Sequence, residues 1–338
     1  MSEKKKLKLA LVGTDSMRGN EIKNVFGREK FPLKDIDFFD PDVKEEYSKL
    51  TNFREEPRVI HHVDEDSLLS ADLVFLAAAK EVNRKFGILA HRKKRFQAID
   101  LSETFNTEEN VPLVVAGVND EIISKEKPSL IANPHPVTVV LSHLFHIILR
   151  KFGILKAISF VLQPASAYDE PGIKELANQS FSLLSSSSMP KKVFKDQIAF
   201  NVLSHTEPPD KRGFYSLEKQ ITSEVQRVLD KPDFPFFLSL VQAPVFHTYS
   251  IMTYIELKKK PGISGLKNLF KESTFFKLSP SSVSSPASVA GKDEIFVGQI
   301  KREESLPNSF WIWTVADNLT RGSALNAFEI ARKIHSCG

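Results

Sequence analysis

Leu7-Lys-Leu-Ala-Leu-Val-Gly13 is the stretch that decides the fold of the first half of the chain. It is a short apolar run that ends in a glycine, and residues 20–26 after it have the character of an opening helix. A buried strand that passes through a glycine turn into a helix is typical of a parallel α/β sheet. We therefore predict that the chain begins with a strand–turn–helix unit.

Further apolar segments follow at intervals that leave room for helices between them. They lie at 36–40, 71–79, 96–101 and 113–116. Strands that alternate with polar segments of helix length predict a parallel sheet with crossover helices. The sheet is predicted to end before a long apolar helix over 137–152, with Gly153 as its C-cap.

The pattern changes after this helix, and it predicts an α+β domain with a large mixed sheet. Helices are expected near 172–184 and 217–229, and an amphipathic helix over 323–334 ends the pattern. Two segments, 185–190 and 279–291, are rich in Ser, Pro or Ala and are predicted to be loops. The strand-like segments are 157–162, 241–246, 251–257, 295–300 and 310–315.

Composition limits the classes of function. The 338 residues suffice for two domains, and 41% hydrophobic with 26% charged residues is typical of a soluble globular protein. The net charge is only +4, so basic runs such as 92–95 and 258–260 are predicted to be solvated surface rather than a nucleic-acid site. The single cysteine, Cys337, excludes an intrachain disulfide, and neither a signal peptide nor an apolar membrane span is recognisable. We expect a cytoplasmic protein that binds neither nucleic acid nor membrane.

Four separated blocks of sequence carry a family resemblance, and Val315-Ala-Asp-Asn-Leu-Thr-Arg-Gly-Ser-Ala-Leu-Asn326 is the most specific of them. The others are 9–13, 131–134, and 197–203 together with 243–246, while 297–301 accompanies the last block. These blocks resemble the aspartate-semialdehyde dehydrogenase family. The resemblance implies a Rossmann-type parallel-sheet domain that binds NAD(P), and an α+β dimerisation domain. It also implies that the last helix returns to the first domain. On this basis we expect the first domain to comprise 1–133 plus 317–338, and the dimerisation domain to comprise 134–316.

The resemblance also implies a reaction. A thiolate attacks the aldehyde, a hydride passes to NADP, and phosphate releases the acyl group. The family's nucleophile loop reads I-A-N-P-N-C-S-T, and the matching stretch here is Ile131-Ala-Asn-Pro-His-Pro-Val-Thr138. Pro136 therefore holds the position of the cysteine, and a proline has no nucleophilic atom.

The other positions implied by the resemblance also differ from the family pattern. Tyr249 stands where the family has its acid/base histidine, Gln242 where it has the arginine for the substrate carboxylate, and Asn106 where it has the phosphate arginine. Gln163 matches the family's glutamine. A displaced role for His247 is the alternative to a packing or surface histidine, because in a strand it would share a face with Tyr249.

The loop expected to hold the nucleotide is altered as well. The family's G-A-T-G-x-V-G becomes Gly13-Thr-Asp-Ser-Met-Arg-Gly19, with Ser16 at the middle glycine. Asp15 adds a negative charge near the expected phosphates, which Arg18 would partly offset, and Asp40 favours a ribose 2′-hydroxyl. We expect no NAD(P) or only weakly bound NAD(P). The candidate cofactor-binding residues are Gly13, Thr14, Ser16, Met17, Arg18, Gly19 and Asp40.

Taken together, these positions predict a catalytically silent homologue, similar to the USG-1 proteins, that acts as a binding or regulatory protein. It is expected to form a homodimer, with a heteromer containing an active relative as the alternative. The competing hypothesis is an active NAD(P)-dependent oxidoreductase on an aldehyde or oxo group in amino-acid biosynthesis, with a relocated site. No metal site is expected, because His135, His143 and His146 lack a further ligand at suitable spacing.

Overall fold

The computed structural model describes residues 6–44, 49–185, 187–204, 207–279 and 284–337. The chain forms two compact units, of which unit 1 is Met1–His135 with Ser323–Gly338 and unit 2 is Pro136–Gly322. The predicted loops at 185–190 and 279–291 contain residues 186 and 280–283, which lie outside the described residues. Among the described helices, none is both long and apolar enough to cross a membrane.

Unit 1 is built on a seven-stranded sheet. Its strands are β1 (Leu7–Val12), β2 (Leu33–Asp40), β3 (Lys49–Phe53), β4 (Glu56–His62), β5 (Leu73–Leu76), β6 (Gln97–Asp100) and β7 (Leu130–Ala132). The strand order is β3-β4-β2-β1-β5-β6-β7, and every pair is parallel except the β3–β4 hairpin. The predicted parallel sheet is confirmed, whereas the hairpin and β7 were not among the predicted strands.

Helices complete unit 1, and the last one comes from the end of the chain. They are α1 (Met17–Arg28), α2 (Glu65–Leu69), α3 (Lys80–Lys93), α4 (Glu121–Glu126) and, at the C-terminus, α10 (Leu325–Cys337). The ring of Phe328 on α10 meets Phe26 of α1 edge to face at 4.9 Å, and Phe26 meets Phe75 of β5 at 5.2 Å. These buried aromatic contacts tie the terminal helix into the core of unit 1, as the sequence led us to expect.

The prediction of a strand at 113–116 is wrong, because only an isolated bridge joins Leu113 to Ala132 there. Side-chain amides take the hydrogen bonds that a neighbouring strand would otherwise take. Asn119 donates to Leu113 O and accepts from Val115 N, at 2.9 and 2.8 Å. The Asn326 side chain accepts from Ala116 N at 2.9 Å and therefore ends the extended segment.

Unit 2 is built on a six-stranded mixed sheet. Its strands are β8 (Ile154–Gln163), β9 (Phe236–Gln242), β10 (Tyr249–Leu257), β11 (Phe276–Leu278), β12 (Ile295–Arg302) and β13 (Ser309–Ala316). The order is β11-β12-β13-β10-β8-β9, with parallel pairs at both ends and antiparallel pairs between them. Its helices are α5 (Pro136–Phe152), α6 (Asp169–Ser185), α7 (Ser216–Val228), α8 (Gly262–Glu272) and α9 (Pro286–Val289).

The long apolar helix predicted before unit 2's sheet is confirmed as α5. Gly153 ends it with a φ of +68°, and its N–H donates to the carbonyls of Ile148 and Leu149 at 3.2 and 3.1 Å. This is the left-handed C-terminal position that glycine adopts at little cost. Helix α5 lies on one face of the mixed sheet together with α7, and their apolar side chains form one core.

The strand predicted at 241–246 lies earlier in the chain, because β9 ends at Gln242 and residues 243–248 form a loop. Pro244 has no N–H to give to a sheet ladder, and the carbonyls of Val245 and Phe246 accept from Ala165 N and Ser166 N at 2.8 and 2.9 Å. Thr248, with a φ of +74°, then turns the chain into β10. His247 therefore does not share a strand face with Tyr249, and the argument for a displaced role fails on that point.

Candidate active and nucleotide-binding sites

The turn between β1 and α1 needs glycine at both of its ends. Gly13 has a φ of +84°, and a Cβ on it would lie 2.4 Å from Ala78 N. A Cβ on Gly19 would lie 2.1 Å from the carbonyl oxygen of Gly13. Both contacts are with backbone atoms that cannot swing away, so the two glycines are required by the packing of the polypeptide itself.

Ser16, at the middle position of this turn, is the N-cap of α1. Its Oγ accepts from Gly19 N at 2.9 Å and donates to Gly13 O at 2.8 Å. The first N–H groups of a helix lack intrahelical partners, and they are the groups that hold a phosphate at a helix N-terminus. Ser16 thus satisfies one N–H that a glycine at this position would leave for a ligand. Met17 and Arg18 follow as the first two residues of the helix.

The carboxyl end of β2 closes the other side of the turn. Thr14 donates its N–H and its hydroxyl to Phe39 O, at 3.2 and 3.0 Å. Asp40 is buried, and its carboxylate accepts from Asp15 N and Asp42 N, at 3.4 and 3.2 Å. The loop residues predicted from the sequence are therefore brought together, with most of their polar groups already bonded to one another.

Asp15 pairs with Lys49 of β3, a residue that the sequence analysis did not identify. The hydrogen bond that Lys49 donates to the Asp15 carboxylate raises the pKa of Lys49. The charge expected to repel phosphate is thus balanced by a lysine across the sheet edge rather than by Arg18 alone. Because the β3–β4 hairpin was not predicted, nothing in the sequence indicated this pair.

Asn106 follows a tightly bonded turn at the end of β6. Asp100 accepts from Ser102 Oγ at 2.6 Å, from Asn83 Nδ2 at 3.1 Å and from Thr104 N at 2.9 Å. Burial raises the pKa of Asp100, and the hydrogen bonds from Ser102 oppose that shift. Asn106 itself is buried. Unit 1 thus holds a neutral amide at the position where the family resemblance expects a phosphate-binding arginine.

In unit 2, Pro136 is the first residue of α5. Proline suits this position, because its fixed φ fits the first helical turn and its missing N–H would have no intrahelical partner there. A Cβ built on Gly322 would lie 2.6 Å from Pro136 Cβ and 3.1 Å from its Cα. The π-helical segment Thr320–Ala324 therefore passes residue 136 at backbone contact. The position that the family resemblance assigns to the nucleophile thus carries the hydrocarbon ring of Pro136.

Gln163, Gln242 and Tyr249 form a buried cluster at the ends of three adjacent strands, which we call the amide cluster. Gln163 Nε2 donates to Gln242 Oε1 at 3.0 Å, and Gln242 Nε2 donates to the carbonyls of Gln163 and Ala243 at 3.0 and 3.3 Å. The Tyr249 hydroxyl donates to Gln163 Oε1 at 3.5 Å. All three side chains are at most 3% exposed. The cluster carries no charge, and both N–H groups of Gln242 are used inside it.

A hydroxyl–carboxylate pair lies close in sequence to Pro136. Thr138 Oγ1 donates to Glu224 Oε2 at 2.7 Å, and Gln220 Nε2 donates to Glu224 Oε1 at 2.8 Å. Thr138 is 0% exposed and Glu224 is 3% exposed. A nucleophile must reach its substrate, and this hydroxyl is enclosed between α5 and α7. The pair therefore joins the two helices, and the sequence alone gave no sign of it.

His143 lies in the core of unit 2. Its ring is 4.1 Å from the ring of Phe275, over which the Arg321 guanidinium also lies, at 5.5 Å. Burial, with smaller contributions from Arg321 and His146, lowers the pKa of His143 well below its usual value. Within the described part of the chain, no group of three or more His, Cys, Asp or Glu side chains is placed to hold a metal ion.

Comparisons with known proteins agree with this architecture. A family model described as semialdehyde dehydrogenase, NAD binding domain matches residues 8–126, and one described as semialdehyde dehydrogenase, dimerisation domain matches residues 146–321. Aspartate-semialdehyde dehydrogenase of Rickettsia bellii is 26% identical over 335 residues, which are 98% of each chain.

Solved structures are also similar. Aspartate semialdehyde dehydrogenase II of Vibrio cholerae, complexed with ASA, has a TM-score of 0.91 at 24% identity and 98% coverage of both chains. A probable aspartate-semialdehyde dehydrogenase of Pseudomonas aeruginosa has a TM-score of 0.88 at 26% identity, covering 97% of this chain and 98% of its own. Fold and matches together define a dehydrogenase scaffold with one nucleotide-binding and one dimerisation domain. The chain belongs to the aspartate-semialdehyde dehydrogenase family, as the resemblance of its sequence predicted.

Proposed function

We propose that this chain is a non-catalytic, dimeric member of its family with a binding or regulatory role. The observation that carries the proposal is Pro136 at the start of α5, where acyl-enzyme chemistry needs a thiolate. Removal of the nucleophile alone costs on the order of 10⁶-fold in rate in comparable covalent catalysts. The neighbouring hydroxyl with a carboxylate partner, that of Thr138, is fully buried and cannot take over.

The amide cluster supports the same conclusion for substrate binding. An arginine holds a carboxylate through two parallel charged hydrogen bonds, which a neutral amide cannot reproduce. Here Gln242 directs both N–H groups at main-chain carbonyl oxygens, those of Gln163 and Ala243. We infer that neither Gln242 nor Asn106 anchors an anionic substrate group, and that Gln163 and Tyr249 serve the fold.

For the cofactor, we propose that NAD(P) binds weakly or not at all. Three glycines share the work in a dinucleotide-binding turn, and the middle one lets the backbone approach the pyrophosphate. Gly13 and Gly19 are explained by backbone packing, whereas the middle position carries the hydroxyl of Ser16, which already occupies Gly19 N. The turn thus keeps the residues that shape it and lacks the one that admits the ligand.

A broad apolar surface on unit 2 supports dimerisation. Phe237, Ile158, Tyr254 and Trp311 are partners in a row across β9, β8, β10 and β13, on the face of the sheet opposite α5. Ile158 is 43% exposed and Phe237 is 56% exposed, and Phe160, on the same face, is 46% exposed. Exposed apolar patches of this kind mark protein–protein interfaces. We propose that a second copy of the chain covers this face. We also propose that 134–316 is the dimerisation domain, and that 1–133 with 317–338 is the Rossmann-type domain that resembles an NAD(P)-binding domain.

An activity assay tests the central claim. Purified protein is incubated with aspartate semialdehyde, phosphate and either NAD or NADP, beside a heat-inactivated sample and an active family enzyme. We expect no nucleotide reduction above the inactivated sample. Steady reduction that survives repurification would refute the proposal and favour the competing hypothesis of an oxidoreductase with a relocated site.

The molar mass in solution tests the interface. Wild type is expected to be a dimer, and Phe160→Glu is expected to be a monomer because the charge would be buried against the partner. Leu50→Glu, at a 64% exposed residue of β3 in unit 1, is the matched control and should remain a dimer. A monomeric wild type that becomes a dimer only when mixed with an active relative would support the heteromer instead.

A further inference from the structure

Unit 1 contains a cavity of about 1140 Å³ at the amino ends of β1, β5, β6 and β7. Its walls are the turn from α3 to β6, the turn from α4 to β7, and the end of α10. The turn that resembles a nucleotide loop lies at the opposite, carboxyl end of β1. Six residues of extended strand separate the two edges by about 20 Å. The cavity is therefore a different place from the family's cofactor position.

Positive charge is concentrated at the rim of the cavity. Lys94, Arg95 and Lys127 line it, and none of their side chains makes an ion pair or hydrogen bond with another described residue. Two acids, Asp72 and Glu126, also line it, so the three cations outnumber the lining carboxylates by one. Three cations in one concave site favour an anionic occupant.

The backbone of the two lysines is unusual. Lys94 and Lys127 end α3 and α4 with φ angles of +53° and +47°, in the left-handed region that glycine and asparagine adopt most readily. A cation is favourable beside a helix C-terminus, which accounts for a basic residue near each end. The helix dipole gives no reason why both lysines have a left-handed backbone, or why both line the same cavity.

Part of the cavity lining is apolar. Phe96, Leu130 and Ile334 contribute buried side chains to its lining. Apolar side chains beside converging polar and charged groups are a usual lining of a small-molecule site. We propose that this cavity binds a small organic anion with two or more phosphate or carboxylate groups. The organic body would lie on these three apolar side chains, and Lys94, Arg95 and Lys127 would hold the charges.

The only cysteine of the chain, Cys337, also lines the cavity, so it serves as a reporter of occupancy. The rate at which Cys337 reacts with uncharged dithiodipyridine is measured against increasing fructose bisphosphate or citrate, with ionic strength matched by KCl. Saturable protection by either anion is expected, and the anion that protects identifies phosphate or carboxylate as the preferred group. A ligand confined to the β1–α1 turn would leave the thiol reactivity unchanged.

Lys94→Asn and Lys127→Asn remove a charge at a backbone position that asparagine tolerates, so both variants should fold. Each is expected to weaken protection about tenfold, the effect of one lost charge-assisted hydrogen bond. Lys93→Gln, one residue earlier on α3 and outside the cavity, should protect like wild type. The proposal is overturned if neither anion slows the reaction beyond KCl, or if both asparagine variants are protected as well as wild type. A lower melting temperature with unchanged protection would show that the lysines only cap their helices.

Discussion

Replacement of Gln242 by arginine is the sharpest test of the amide cluster, because arginine is the residue that the family resemblance expects at this position. The cluster is closed in this structure. The side chain of Gln242 makes three hydrogen bonds, accepting from Gln163 Nε2 and donating to the carbonyls of Gln163 and Ala243. Its side chain is 1% exposed. An arginine here would bury a positive charge that has no anionic partner in the cluster.

The expected cost follows from these contacts. A guanidinium can still donate to the two carbonyls, but Gln163 Nε2 loses its acceptor, which costs about 1–3 kcal/mol. A buried charge without a counter-ion adds about 3–5 kcal/mol, the cost of leaving one charge unpaired when a buried pair is broken. We therefore expect Gln242→Arg to lower the free energy of unfolding of unit 2 by about 4–8 kcal/mol. At about 2–4 °C per kcal/mol, the melting temperature falls by roughly 8–32 °C.

The two tryptophans make the measurement selective. Both Trp311 and Trp313 lie in β13, so their fluorescence during urea unfolding reports on unit 2. Gln299→Arg, at an exposed residue of β12 in the same sheet, is the matched control and should change stability by no more than about 0.5 kcal/mol. If Gln242→Arg were as stable as this control, the cluster would have to be open to water or to an anion. The proposed loss of substrate binding would then be refuted.

Three further changes have definite expected outcomes. Gly322→Ala places a Cβ 2.6 Å from Pro136 Cβ and should destabilise unit 2 by about 1–3 kcal/mol, whereas Gly27→Ala, in open space on α1, should be neutral or stabilising by urea unfolding. The lowered pKa of His143 means that only the unfolded chain takes up its proton below about pH 6.5, so unfolding free energy should fall by up to ~1.4 kcal/mol per pH unit on acidification. His143→Phe should remove that part of the pH dependence; an unchanged slope would contradict it. Ser16→Gly should cost only a few tenths of a kcal/mol and tighten NAD(P) binding in a fluorescence titration, and unchanged binding would argue against the role given to Ser16.

The local sequence pattern was sufficient to predict most of the helices and strands. The apolar run 7–12 and the helix of α5 were found because burial gives strands and helices different periodicities. The segment 113–116 has the same apolar character as a strand, but its backbone groups are taken by Asn119 and Asn326. The second of these lies 210 residues away from its partner, a contact that no local pattern records.

The amide cluster could not be predicted from local sequence for a similar reason. Gln163 and Gln242 are 79 residues apart, and they meet because β8 and β9 run parallel with these two residues in register. Tyr249 joins them because β10 pairs with β8 on the other side and begins at this residue. The sequence identified each position separately through the family resemblance. Only the register shows that the three side chains bond to one another.

The distribution of retained and altered residues is itself an argument for the proposed loss of catalysis. Gly13, Gly19 and Gly322 each stand where a Cβ would meet backbone or a neighbouring Cβ at 2.6 Å or less, so each is needed to form its own unit. Pro136 and Ser16 stand at positions to which the family resemblance assigns a ligand contact, and both are compatible with the helix ends they occupy. Substitutions distributed without regard to function would also have replaced some of the glycines that packing requires. This distribution supports the proposed loss of catalysis, because the glycines that shape each unit are present and the positions that differ are those that the family resemblance assigns to substrate or cofactor.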